Sequence, residues 1–169
     1  MKKFLVIAAT CISLSACAGL GGGGSTGSAN SASQTQSFIQ AVEAKRGTAL
    51  GVAEKIQLQG LVGATKSGIN GVQDKFLDNV ASRIGLSGPA VAALFPAAGT
   101  PISESSAVAK VEKALGSRLS AADSAAVKAA TALRNDTGES LKTGLSKRIG
   151  GLVGLDGAFI ESLLPLLGF

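Results

Sequence analysis

The chain has 169 residues, with 16 basic and 11 acidic side chains and no His, Tyr or Trp. Without histidine there can be no Ser-His-Asp or Cys-His catalytic arrangement and no histidine-ligated metal. A formal charge of +5, with no run of basic residues longer than two, gives no electrostatic footprint for nucleic acid.

The first element is a charged start, Lys2-Lys3, followed by the apolar stretch Phe4–Leu14 and the small residues Ser15 and Ala16 before Cys17. This is the layout of a secretory signal peptide. An eleven-residue stretch is too short for a transmembrane helix, which needs about 20 apolar residues. The ending Leu14-Ser15-Ala16-Cys17 resembles the lipobox of bacterial lipoprotein precursors. The resemblance covers residues 1–17 only. It implies cleavage between Ala16 and Cys17, diacylation of the Cys17 thiol and acylation of the new amino terminus. An ordinary secretory cleavage near Ala16 or Ala18 would instead leave Cys17 a free thiol. Ala18 and Gly19 follow, with no aspartate at the second position, which in that family resembles the signal for the outer membrane. Two or three acyl chains, at about 0.8 kcal/mol per buried methylene, would hold such a protein permanently at a membrane. Cys11 would leave with the leader, so no disulfide is expected, and the formal charge would fall from +5 to +3.

Residues 17–36 are expected to form a disordered, lipidated tether. The run is Gly-, Ser-, Ala- and Gln-rich and includes Gly21–Gly24, with no apolar area to offset ordering entropy. Its reach as a random coil is about 25 Å. Gly21–Gly24 is not a phosphate loop, because no Gly-Lys-Ser/Thr follows.

From 37 to 169 the expected fold is all-α, a small helical bundle of about six to seven helices. Alanine and leucine dominate, and alternating strand patterns are lacking. A first helix is expected over 36–59, with Ile39, Val42, Ala49, Ala53 and Ile56 as its stripe. Gly47 and Gly51 weaken it by about 1 kcal/mol each. Residues 60–69 are ambiguous, being apolar but interrupted by glycine. Asn70 with Gln73 reads as a capping box opening 71–84. Ser87 caps a short helix ending near Pro96, and Ser103 caps 104–115. Ser120 with Asp123 opens 121–134, and Asp136 with Glu139 opens 137–149. Asp156 caps a last short helix to about Leu164.

An internal repeat is also expected. Residues 86–99 align without gaps on 155–168, with Leu86/Leu155, Gly88/Gly157, Leu94/Leu163, Pro96/Pro165 and Gly99/Gly168 identical. Upstream, Phe76, Val80 and Ile84 align on Leu141, Leu145 and Ile149 if Gly151–Gly154 is an insertion at the joint. The tail Gly151–Phe169, with only Asp156 and Glu161 charged, is expected in the core, with an interfacial membrane helix as its alternative.

No catalytic, metal-ligating or cofactor-binding residues are expected. No Ser-x-x-Lys occurs. Asp74 and Asp78 share a helix face but read as a solvated, dipole-favoured pair rather than a catalytic one. The functional residues expected are therefore Cys17 for lipidation and Ala16 with Cys17 for cleavage. The expected protein is a non-enzymatic envelope lipoprotein, anchored by lipid to the outer membrane and probing the periplasm. It would bind or scaffold another envelope protein or a lipid, and has no nucleic-acid partner. The alternative is a periplasmic carrier of an acyl chain, enclosed between the repeated short helices.

Overall fold

Gly47 ends the first helix because it takes a left-handed conformation (φ 75°), which a side chain would resist. In a computed structural model that describes residues 27–169, with side chains from Ser33 onward, α1 spans Gly27–Arg46 and α2 spans Val52–Ile84. The remaining elements are α3 (Gly88–Ala92), α4 (Glu104–Leu115), α5 (Ala121–Val153) and α6 (Gly157–Leu163), which runs on into a 3₁₀ turn, Leu164–Leu167. The described residues are all-helical, without strands. The leader, the cleavage point and Cys17 lie outside them. Helix α1 begins at Gly27, inside the stretch expected to be tether.

The expected helix 36–59 is therefore two helices, and its stripe changes phase at the break. Ile39 and Val42 are buried, but Ala49, Ala53 and Ile56 are exposed, and Leu58 and Val62 take over the buried face. A restart is built into the turn. The Gly51 amide donates to Glu54 Oε2 at 2.7 Å, and the Leu50 amide donates to Glu43 Oε1 at 2.9 Å. Lys55 and Arg46 pair with the same two carboxylates, at 2.9 and 2.8 Å.

These contacts hold both carboxyls below the ordinary glutamate value. For Glu43 the Lys55 ammonium is the main cause, then the Leu50 amide; for Glu54 it is the Gly51 amide, then Arg46. A depressed folded-state value adds stability above the unfolded value, near 4.5, that is lost as pH falls through the folded one. Amide exchange at Leu50 and Gly51, corrected for its intrinsic pH dependence, should thus lose protection only below that value. In Glu54→Ala, the loss at Gly51 should be present at every pH.

Helices α2 and α5 each continue where two helices were expected. Asn70 and Asp136 are not caps; both are exposed mid-helix positions. Gln73 and Glu139 close no capping box either: Gln73 is buried against Pro96 and Arg134, and Glu139 pairs with Lys142 at 2.9 Å. Asn and Asp inside a helix cost at most about 0.7 kcal/mol each. A shared buried seam through both places outweighs that. On α2 the seam is Leu58, Val62, Ile69, Gln73, Phe76 and Val80; on α5 it includes Val127, Thr131, Arg134, Gly138, Leu145 and Ile149. Steps of three, four and seven are those of a coiled-coil stripe. Each helix, of 33 residues, is about 50 Å long. The close approach is visible at Gly68, where a Cβ would sit 3.3 Å from Leu141 Cδ1.

The remaining ends follow their caps. Ser106 N donates to Ser103 Oγ at 3.2 Å, Asp123 N to Ser120 Oγ at 3.1 Å, and Ala158 N to Asp156 Oδ1 at 2.7 Å. Ser87 occupies the cap position of α3 without a side-chain bond.

Two cores lie along the seam. In the first, Phe38 and Val42 of α1 and Leu58 and Val62 of α2 meet Leu145, Ile149 and Val153 of α5 together with Ile160, Leu164 and Leu167. In the second, Phe76 and Val80 of α2 with Val91 and Phe95 meet Ala107 and Val111 of α4 and Val127 of α5. The start of α2 thus packs on the end of α5 and its end on the start of α5, so the long helices run antiparallel. Ile160, Leu164 and Leu167 are at most 4% exposed, which places the C-terminal tail in the core. No single helix among the described residues is long and apolar enough to cross a membrane.

Some local features recur at a constant spacing. Left-handed glycines at 47, 85 and 99 recur 69 residues later at 116, 154 and 168. The Leu50–Glu43 bond has its counterpart in the Leu119 amide donating to Glu112 Oε1 at 3.1 Å. In this register Phe76 and Val80 correspond to Leu145 and Ile149, one helical turn on from the expected alignment. Gly151 to Val153 are the last turn of α5, and Gly154 ends it in the left-handed conformation as Gly85 ends α2.

Candidate functional site: a groove between the two long helices

Midway along the seam the apolar stripe gives way to polar residues. Gln73, Thr131, Arg134 and Ser146 are the buried polar side chains among the described residues. Thr131 and Ser146 return their hydroxyls to carbonyls one turn back, on Val127 and Lys142. Arg134 does more. Its Nε donates to Gln73 Oε1, Nη1 to Thr100 O at 2.9 Å and to Asn135 Oδ1 at 3.1 Å, and Nη2 to Ala97 O at 3.2 Å. Its guanidinium also lies 5.6 Å from the centre of the Phe76 ring, which in turn meets Phe95 edge-on at 4.8 Å.

Every oxygen that accepts from Arg134 is neutral. Burial draws the guanidinium down from its ordinary value, and no carboxylate opposes that shift. The charge is instead spread over loop carbonyls. Asn135 and Lys142 extend the same arrangement: Asn135 Nδ2 donates to Ile102 O at 2.8 Å, and Lys142 Nζ to Gly99 O at 2.7 Å. One face of α5 thereby fixes the connector between α3 and α4. A cleft on that side of Arg134, floored by Ile69 and Gly99, holds only about 10 Å³, no more than one water.

The other side of Arg134 is open. There Val72, Lys75, Phe76 and Asn79 of α2 face Ala130, Leu133, Arg134 and Thr137 of α5 across a groove of about 390 Å³. On each helix the four positions follow i, i+3, i+4 and i+7, so each contributes a single flank. This volume lies within the range of about 300–1,000 Å³ usual for small-molecule sites. The floor is apolar and the charged groups of the lining, Lys75 and Arg134, are both cationic. Leu133 is 69% exposed on the rim, a large apolar side chain that the protein's own core does not use.

Sequence reasoning missed this groove, because its two flanks lie about sixty residues apart and meet only when α2 pairs with α5. Asp74 and Asp78 stand on α2, both exposed, and neither lines the groove. Between the short helices, where the alternative reading placed an acyl chain, Val91, Ile160 and Leu164 are buried in the two cores. Ala16 and Cys17 lie outside the described residues. No model of a known protein family, no curated protein and no solved structure matches the chain.

Proposed function

We propose that the protein is a lipid-anchored, non-enzymatic envelope lipoprotein of the outer membrane, facing the periplasm, whose helical body is a binding module. The observation that carries the anchor is the junction Leu14-Ser15-Ala16-Cys17 behind a short apolar leader. The body supports a binding role rather than a catalytic one. Several of its charged and polar side chains are engaged structurally: Glu43, Glu54, Lys55 and Arg46 at the α1–α2 turn, and Arg134, Asn135 and Lys142 at the connector. A scaffold for another envelope component would use the outer faces of the bundle. The groove between α2 and α5 favours the second reading, a carrier of an apolar ligand.

Cells producing the protein and fed an alkyne-tagged fatty acid should yield labelled wild type in the outer-membrane fraction. The Cys17→Ser variant should be unlabelled. Unlabelled wild type in the aqueous fraction would overturn the anchor and the address together.

A further inference from the structure

The groove occurs where residues related by that constant spacing differ. With the 69-residue correspondence set by the left-handed glycines, Ala130 and Val72 occupy the positions that Leu61 and Leu141 occupy in the other half. There Leu61 packs against the first core, and Leu141 reaches within 3.3 Å of where a Cβ on Gly68 would be. At these two positions the groove half carries the smaller side chains, while Leu133 and Thr137 are larger than their counterparts Ala64 and Gly68. Lys75 stands where the other half has Gly144, Arg134 where it has Thr65, and Asn79 where it has Arg148. The lining thus brings one cation from each helix, Lys75 of α2 and Arg134 of α5, onto an apolar floor.

We infer that this groove binds a single-chain amphiphile with an anionic head, a free medium-chain carboxylate, with its tail along Phe76, Val72, Ala130 and Leu133 and its head at Lys75. The inference rests on the binding-module reading above and specifies its ligand. Charge complementarity selects the head: Lys75 is exposed and free to close over a carboxylate, and Arg134 adds a second positive charge from below. Volume selects the tail. The groove, about 390 Å³ and open to solvent on one side, has room for a single medium-length alkyl chain. Burying such a chain at about 0.8 kcal/mol per methylene supplies affinity, and the charge-assisted contact supplies selectivity for acid over alcohol.

Both cores and all six α-helices lie within 27–169, so the chain from residue 18 contains everything that holds the body together. Expressed in that form it carries no acyl group of its own. Its binding of 11-(dansylamino)undecanoic acid can be followed by fluorescence, with dodecanoate and dodecanol as competitors. Dodecanoate should displace the probe at least about tenfold more effectively than dodecanol, the equivalent of roughly 1.4 kcal/mol. Ala130→Leu, which copies the filled half, and Lys75→Glu, an exposed change, should each weaken binding by about tenfold or more while leaving the helical circular dichroism spectrum unchanged.

Equal affinity in wild type and Ala130→Leu would overturn the location. Equal displacement by acid and alcohol would overturn the head-group assignment, and absence of probe binding would overturn the site. Because no membrane and no Cys17 are present, none of these outcomes bears on the lipid anchor, which the fatty-acid labelling tests separately.

Discussion

Replacing Arg134 by methionine should destabilise the protein by roughly 1–3 kcal/mol, measured by urea unfolding. Two opposed effects meet at this residue. Removing a buried guanidinium that lacks a carboxylate partner recovers its desolvation cost, which in other buried charge sites can make an apolar replacement neutral or favourable. Here, however, the acceptors are backbone carbonyls and stay behind. Gln73 Oε1, in a buried side chain, would lose its donor at a cost of about 1–3 kcal/mol, and Ala97 O and Thr100 O, on exposed residues, would lose theirs at a smaller cost because water can replace it. The loss outweighs the gain. Amide exchange across 97–102 should rise first, since Arg134 ties that connector to α5. The pair Gln73→Leu and Arg134→Met together should cost less than the sum of the single changes, because each leaves the other's partner orphaned. Unchanged or increased stability in Arg134→Met would show that the connector holds without its guanidinium.

Two neighbouring glycines of α5 should respond with opposite signs. Alanine in place of glycine inside a helix ordinarily gains about 1 kcal/mol. At Gly151 a Cβ would meet nothing within 4 Å, so Gly151→Ala should gain close to that amount. At Gly150 a Cβ would lie 2.7 Å from the carbonyl oxygen of Leu155 and 3.3 Å from the amide nitrogen of Gly157. Both are backbone atoms and cannot rotate away. The start of α6 would have to move, and with it Ile160, which is wholly buried. Overpacking of this kind costs about 1–3 kcal/mol and exceeds the helix-propensity gain. A net loss of about 1–2 kcal/mol is therefore expected for Gly150→Ala, read from the same unfolding curves. A gain in both variants would mean that the α5–α6 joint gives way at little cost. The corresponding position in the other half is Ala81, so the tight joint belongs to the C-terminal half alone.

Much of this architecture was legible in the residues. Helix class followed from the apolar spacing and the lack of alternation, and the ends at Ser103, Ser120, Asp156, Gly85 and Gly116 are where capping chemistry put them. Such signals are local: a hydroxyl or carboxylate three residues from an orphan amide, or a glycine free to turn left-handed, acts whatever lies farther along the chain. Gly47 carried the same kind of signal, yet the apolar spacing on both sides of it suggested one helix, and only the phase change from Val42 to Leu58 separates the two.

Asn70 and Asp136 misled for the converse reason. Their side chains can cap a helix, but a packed seam on the opposite face keeps the backbone helical through them, at a cost of less than 1 kcal/mol each.

What the residues alone determined was therefore the helical class, most helix ends, the leader-like junction at Cys17 and the absence of histidine chemistry, all set by composition or by contacts within a few positions. The tertiary structure alone decided that α2 and α5 are single long helices and that a groove opens between Val72 and Ala130. Each of those depends on residues far apart in sequence meeting across an antiparallel seam, where the volume of one side chain is felt only against the partner it faces.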